Sequence, residues 1–194
     1  MPGEGHMVHM PAHIYIRVGR WNDAIQTNRH AIHSDEVFIE EQHPMGVYPL
    51  AYYPHNIHFL AFASMMAGRS VQAIDAGDTL TSKVNLDAAR QVGMLQEMLP
   101  YYALTLTTLG KWDEVLAAPL PPEDIRFSYA MAHYVCGVAH AAKSEWAKAV
   151  RRPAVLRIVV LRLWSIVHSQ RLTKAKTRCP CTLRDEIDQA AVRV

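Results

Sequence analysis

Four short segments of this 194-residue chain, at 19–25, 68–74, 110–116 and 144–150, follow one pattern. Each begins with Gly or Ser, which lets the chain reverse tightly, and has Ala or Val five places later, which lets two helices approach closely. Three of the four have Trp two places after the first residue, where it can pack across a hairpin. Because apolar, helix-like stretches precede these segments, the pattern predicts a helix-turn-helix unit used four times.

The spacings between these turns are 49, 42 and 34 residues, and the last equals the period of the tetratricopeptide repeat. In the first unit, Gly19, Trp21, Ala24 and Ala31 match the small, aromatic, alanine and small residues of that repeat. The chain therefore resembles tetratricopeptide-repeat (TPR) proteins. More narrowly, residues 9–21 and 52–60 resemble a group of bacterial TPR proteins.

The resemblance covers roughly residues 1–150 and implies an all-α, TPR-like α-solenoid, whose first helices line a concave groove. Proteins of this group are typically much longer, so we expect the chain to be an internal piece without its upstream repeats. Repeat ends that lack a neighbour expose apolar faces, which we expect to be covered by other repeats, a partner chain or self-association. The third unit is expected to be degenerate, because the proline-rich residues 116–122 cut its second helix short.

Charge divides the chain near residue 150. Residues 1–150 hold 10 Lys and Arg against 15 Asp and Glu, a net charge of −5, whereas 151–194 hold 10 against 3, a net charge of +7. We interpret 1–150 as the repeat domain and 151–194 as a divergent basic tail. The composition of the tail favours a poorly ordered or non-functional segment, and the alternative is an amphipathic helix that binds an anionic membrane or nucleic acid.

Histidine is concentrated at the start of the chain, where the first 58 residues hold eight of the eleven. His6 and His9 lie 13 and 10 residues before the glycine of the first turn, and His55 and His58 lie at the same two distances before the glycine of the second. Residues three apart share one face of a helix, and stacking of adjacent repeats would bring the two pairs together. His13 extends the first pair along the same face.

The candidate metal ligands are His6, His9, His13, His55 and His58. Imidazoles on neighbouring helices suit a transition metal such as zinc, copper, nickel or iron, and Met7 and Met10 would favour copper(I). The alternative is that these histidines are polar groove or capping residues without a ligand. Since proline breaks a helix interior, the first helix is expected to begin near Pro11 and to leave His6 and His9 in an approach loop.

The sequence lacks the familiar enzyme motifs. It has no His-Glu-x-x-His pair, no Gly-x-Ser-x-Gly elbow and no phosphate-binding glycine loop. No carboxylate is tied to the histidine cluster by spacing, so a hydrolytic metal site would need folding to supply its general base. The sequence therefore favours a protein that is not an enzyme, and the alternative is a metal-dependent enzyme in a full-length form.

An insert of about 15 residues separates the first two repeats, relative to the usual period. Its segment 43–54 is rich in proline and tyrosine. This composition predicts a rigid connection with its aromatic residues packed beneath it. The alternative is a lid over the groove, in which Tyr48, Tyr52 and Tyr53 face a peptide or small ligand.

The sequence as a whole predicts a scaffold that binds a peptide or partner protein in its groove, with a metal-binding protein as the alternative. The groove candidates are His13, Arg17, His55, His58 and Phe62. A formal net charge of +2 gives no strong nucleic-acid signal, and no apolar run is long enough to cross a bilayer. The start of the chain does not resemble a signal peptide and the three cysteines have no paired spacing, which predicts a cytoplasmic location.

Overall fold

A computed structural model describes residues 5–149, which contain α-helices and no β-strand. The helices are α1 (Gly5–Arg17), α2 (Trp21–Gln42), α3 (Tyr53–Met66), α4 (Ser70–Lys83), α5 (Leu86–Gln91), α6 (Tyr101–Thr108), α7 (Trp112–Ala117) and α8 (Arg126–Ala142). The predicted all-α class is thus confirmed for this range. None of its helices combines the length and apolar character that a membrane span requires. Both predictions for the tail at 151–194 fall outside the described residues.

The four predicted turns have the same backbone geometry. Gly19, Gly68 and Gly110 have φ angles of 72°, 72° and 70°, and Ser144 has a φ of 60°. Glycine suits the first three because this left-handed region is strained for residues with a side chain. One hydrogen bond recurs at 2.9 Å in all four turns, from the amides of Arg20, Arg69, Lys111 and Glu145 to the carbonyls of Tyr15, Ser64, Leu106 and His140.

Small residues after these turns are buried where helices meet. Ala24, Ala31 and Ala73 are fully buried, and Val115 takes the equivalent place in the third unit. The turns join α1 to α2, α3 to α4 and α6 to α7 as packed pairs, while α2 also packs on α3 and α4 on α6. Two of the tryptophans, Trp21 and Trp112, are half-buried, whereas Trp146 is 63% exposed.

Insertions account for the uneven spacing of the turns. A loop and a π-helical turn at Tyr48–Tyr52 lie between α2 and α3, and α5 with a 3-10 turn at Gly93–Glu97 lies between α4 and α6. The third unit is shortened as predicted, because α7 ends at Ala117 and prolines follow at 119, 121 and 122.

Proline does not mark the start of the first helix. α1 begins at Gly5 and runs through Pro11, so the predicted start near Pro11, with His6 and His9 in an approach loop, is wrong. An interior proline removes one helical hydrogen bond and crowds the preceding turn, at a cost of about 3 kcal/mol. The helix before Pro11 is packed against the protein, since Gly5 is buried and the buried His9 is hydrogen-bonded to Asn28.

Candidate metal centre

Three of the predicted histidines meet at the contact between α1 and α3. His9 and His13 lie one turn apart on α1, and His55 lies in the first turn of α3. One ring nitrogen from each lies within 4.8 Å of the other two. The Nε2 atoms of His9 and His13 are 2.9 Å apart. Ligand atoms around a tetrahedral zinc ion are about 3.3 Å apart, a value between this 2.9 Å contact and the 4.8 Å that bounds the group.

Packing holds the three imidazoles at this place. His9 is fully buried, and its Nδ1 lies 2.7 Å from Oδ1 of Asn28 on α2. The ring of Phe59, one turn along α3 from His55, contacts all three imidazoles, with centroid distances of 4.5, 4.6 and 4.7 Å to His9, His13 and His55. The phenyl ring therefore closes one side of the cluster with apolar surface.

Burial keeps these imidazoles neutral at physiological pH. Loss of hydration lowers the pKa of His9 to about 4, against a smaller opposing effect of the hydrogen bond to Asn28. Burial also lowers the pKa of His55 to about 4, with neighbouring histidines adding to the shift, and it lowers the pKa of His13, with His6 and Arg17 adding to that one. A neutral imidazole has a nitrogen lone pair available, so a metal ion does not have to displace a proton from a charged ring.

His6 lies beside the three-histidine group but outside it. Its ring centroid is 5.6 Å from that of His9 and 6.1 Å from that of His55, and it stacks on Tyr52 at 4.5 Å. Its Nδ1 is buried and has no hydrogen-bond partner among the described residues. His6 therefore lines the site without belonging to the closest set of ligand atoms.

The second member of the α3 pair packs elsewhere. His58 stands edge-on to Tyr101 of α6, with ring centroids 4.3 Å apart, and burial lowers its pKa. No ring contact joins it to His9, His13 or His55 among the described residues. The pair at 55 and 58 is therefore divided between the histidine cluster and the contact of α3 with α6.

The two methionines offered as soft ligands are exposed. Met7 is 69% exposed and Met10 is 43% exposed. Their thioethers therefore give no support to a copper(I) site, and the group of His9, His13 and His55 offers nitrogen ligands alone.

A buried carboxylate near the start of α1 was missed by the sequence analysis. Asp35 on α2 is fully buried and accepts hydrogen bonds from the Tyr48 hydroxyl at 2.5 Å and from Nδ2 of Asn56 at 2.7 Å. Burial raises the pKa of Asp35, and the two hydrogen bonds oppose that shift. Gly5 packs so closely here that a Cβ atom at this position would lie 1.7 Å from Oδ1 of Asp35.

The tyrosine-rich segment is tied to α2. The hydroxyl of Tyr48 donates to Asp35, and that of Tyr53 donates to Glu36 at 3.0 Å. The ring of Tyr48 also stands edge-on to Phe38, with centroids 5.1 Å apart. These bonds favour the predicted rigid connection over the lid.

The remaining groove candidates differ in their exposure. Arg17 is exposed at the end of α1, and Phe62 is half-buried with its ring 6.1 Å from that of Trp21. Phe62 thus contributes to helix packing, while Arg17 is accessible to a partner.

The sequence contains a signal for Asn28 and Asp35, the two buried polar residues of α2 near the histidines. Ala24, Asn28, Ala31 and Asp35 are all buried, and steps of four, three and four residues place them on one stripe of α2. A polar residue within such a stripe needs a buried partner, which is a signal present in the sequence. The partners themselves, His9 for Asn28 and Tyr48 for Asp35, follow only from the fold.

Comparison with known proteins does not identify the site. The chain matches no protein-family model, no curated protein and no solved structure. The resemblance to TPR proteins therefore stays a prediction, and function has to follow from the site itself.

Proposed function

We propose that the protein binds a transition-metal ion through His9, His13 and His55. The convergence of three ring nitrogens within 4.8 Å, from two helices, carries this proposal. Three neutral imidazoles without thiolate or carboxylate suit zinc, copper, nickel or iron, the metals expected from the sequence. They leave at least one position open at a four-coordinate ion.

We also propose that the scaffold is a TPR-like solenoid. The identical hydrogen bond at four turns and the packing of successive helix pairs support it. In such an array the metal site would join the first helices of two neighbouring repeats, α1 and α3. A bound ion would then cross-link the two repeats and stabilise their contact.

Elemental analysis and zinc titration of untagged, chelator-free protein test the metal proposal. His13→Gln and His55→Gln remove one ligand each, and we expect each to weaken zinc binding by about 100-fold or more, given the affinity that one ligand supplies. His58→Gln is the matched control on the same helix, and His30→Gln is an exposed control. Protein that is isolated without metal and does not bind added zinc contradicts the proposal.

A second candidate function is contact with another protein chain, and a specific apolar stripe favours it. Met7, Met10, Ile14 and Val18 lie three or four residues apart and are between 43% and 69% exposed. The first three follow the face of α1 opposite to the buried Ala12, and Val18 comes directly after the end of the helix. An exposed stripe of this kind supports the predicted self-association or partner binding, with Arg17 alongside it.

A further inference from the structure

Among the described residues outside the cluster, Asn28 is the one whose side chain is hydrogen-bonded to a histidine of the cluster. It is fully buried on α2. Its Nδ2 lies 2.7 Å from the carbonyl oxygen of Ala24, and its Oδ1 lies 2.7 Å from Nδ1 of His9. Of the two polar atoms of this side chain, only the nitrogen can donate a hydrogen bond to a carbonyl oxygen. The bond to Ala24 therefore places the nitrogen on that side and the oxygen toward His9.

The orientation of this amide determines the tautomer of His9. Because Oδ1 of Asn28 can only accept, Nδ1 of His9 has to carry the hydrogen. A neutral imidazole has one N–H, so Nε2 of His9 is left with its lone pair free. Nε2 of His9 lies 2.9 Å from Nε2 of His13. Because His9 Nε2 has no hydrogen, this hydrogen bond requires that Nε2 of His13 carries one.

We infer that Asn28 is a positioning residue for the metal site, because it holds His9 in the tautomer whose free Nε2 points toward His13. The inference rests on the proposed metal binding. The inference also predicts a change of tautomer on metal binding. When Nε2 of His13 becomes a ligand, the hydrogen of His13 has to move from Nε2 to Nδ1. The ring stays neutral throughout, and no net proton is released by this exchange.

Nitrogen NMR of the metal-free, 194-residue chain with 15N-labelled histidine tests the tautomers directly. We expect a protonated Nδ1 and an unprotonated Nε2 for His9, and a protonated Nε2 for His13. On addition of zinc, the Nε2 signal of His13 should change to that of a metal-bound nitrogen while its Nδ1 gains the hydrogen. A protonated Nε2 of His9 in the metal-free protein overturns the inference without any variant.

Two substitutions separate positioning from general stability. Asn28→Leu keeps the branched shape of the side chain and removes both the acceptor for His9 and the donor to Ala24, and we expect zinc affinity to fall by about 10- to 100-fold. Asn28→Asp keeps an oxygen for the hydrogen of His9 but loses the donor to Ala24, so it should lower the melting temperature and keep zinc affinity within about threefold. Thr105→Val, which removes a different buried hydrogen bond, on α6, is the stability control.

The outcomes distinguish this inference from the proposed function. If wild-type protein binds zinc and Asn28→Leu binds it equally well, the inference is overturned and the metal site stands. If affinity falls in step with melting temperature in Asn28→Leu, Asn28→Asp and Thr105→Val alike, Asn28 has only a structural role. If wild-type protein binds no zinc, both proposals fail.

Discussion

Nε2 of His9 lies 2.9 Å from Nε2 of His13, so the outer nitrogens of the two α1 imidazoles face each other. His55 approaches from α3, with its ring centroid 4.8 Å from that of His9. Such proximity of uncharged nitrogen ligands is a common requirement of transition-metal sites in proteins.

Metal affinity should separate His55 from His58, although both are on α3. We expect His55→Gln to weaken zinc binding by about 100-fold or more and His58→Gln to leave the dissociation constant within about threefold, because only His55 contributes a nitrogen to the cluster. Isothermal titration calorimetry of both variants measures this. Equal losses in the two would contradict the assignment.

The fourth coordination position should accept a small anion. A divalent ion held by three neutral imidazoles keeps its charge, and an anion such as azide compensates it. In copper(II)-loaded protein we expect azide to produce a charge-transfer band in the near-ultraviolet or visible spectrum. If no band forms in wild type but one forms in His6→Ala, His6 fills the position instead.

Stability of the metal-free protein should fall as the pH is lowered from about 6.5 to 4. In this window an unfolded histidine, with a pKa of about 6.5, binds a proton, whereas His9 and His55, each with a pKa of about 4, stay neutral in the folded chain. Protons therefore favour unfolding, and we expect a loss above about 2 kcal/mol across this window. Urea denaturation in the presence of a chelator measures it.

The matched variant for this pH effect is His55→Gln, whose side chain does not titrate. Its unfolding free energy should depend less steeply on pH between 6.5 and 4 than that of the wild type. Parallel pH profiles for the two proteins would show that His55 is not one of the residues responsible.

Gly5→Ala should destabilise the chain strongly. The added methyl would lie 1.7 Å from Oδ1 of Asp35 and 2.7 Å from the carbonyl oxygen of Ala31, so α1 has to move away from α2. We expect a loss of at least about 2 kcal/mol by thermal or urea denaturation. Gly93→Ala is the control, because a Cβ there meets nothing within 4 Å.

Substitution on the exposed stripe of α1 should weaken self-association without unfolding the chain. Ile14 and Val18 are 65% and 62% exposed, so Ile14→Asn with Val18→Asn removes apolar surface and leaves the core intact. Sedimentation equilibrium should show a smaller average mass for the double variant than for wild type. A wild-type chain that is monomeric at about 100 μM would leave no role for the stripe in self-association.

Local sequence determined the helical units. Gly19, Gly68 and Gly110 each take the left-handed conformation that ends a helix, and the buried Ala24 and Ala73 lie where the pattern placed them. These features depend on residues close together in the chain, through backbone sterics and helical spacing. The concentration of histidine near the start was likewise visible in the sequence.

Tertiary structure decided which histidines meet. Spacing made His55 and His58 equivalent, but the packing of α3 between α1 and α6 directs the first to the cluster and the second to Tyr101. Tertiary structure also keeps α1 helical through Pro11, although proline locally disfavours the interior of a helix. Contacts between distant residues set these outcomes because burial of His9 and its bond to Asn28 exist only once α1 lies on α2.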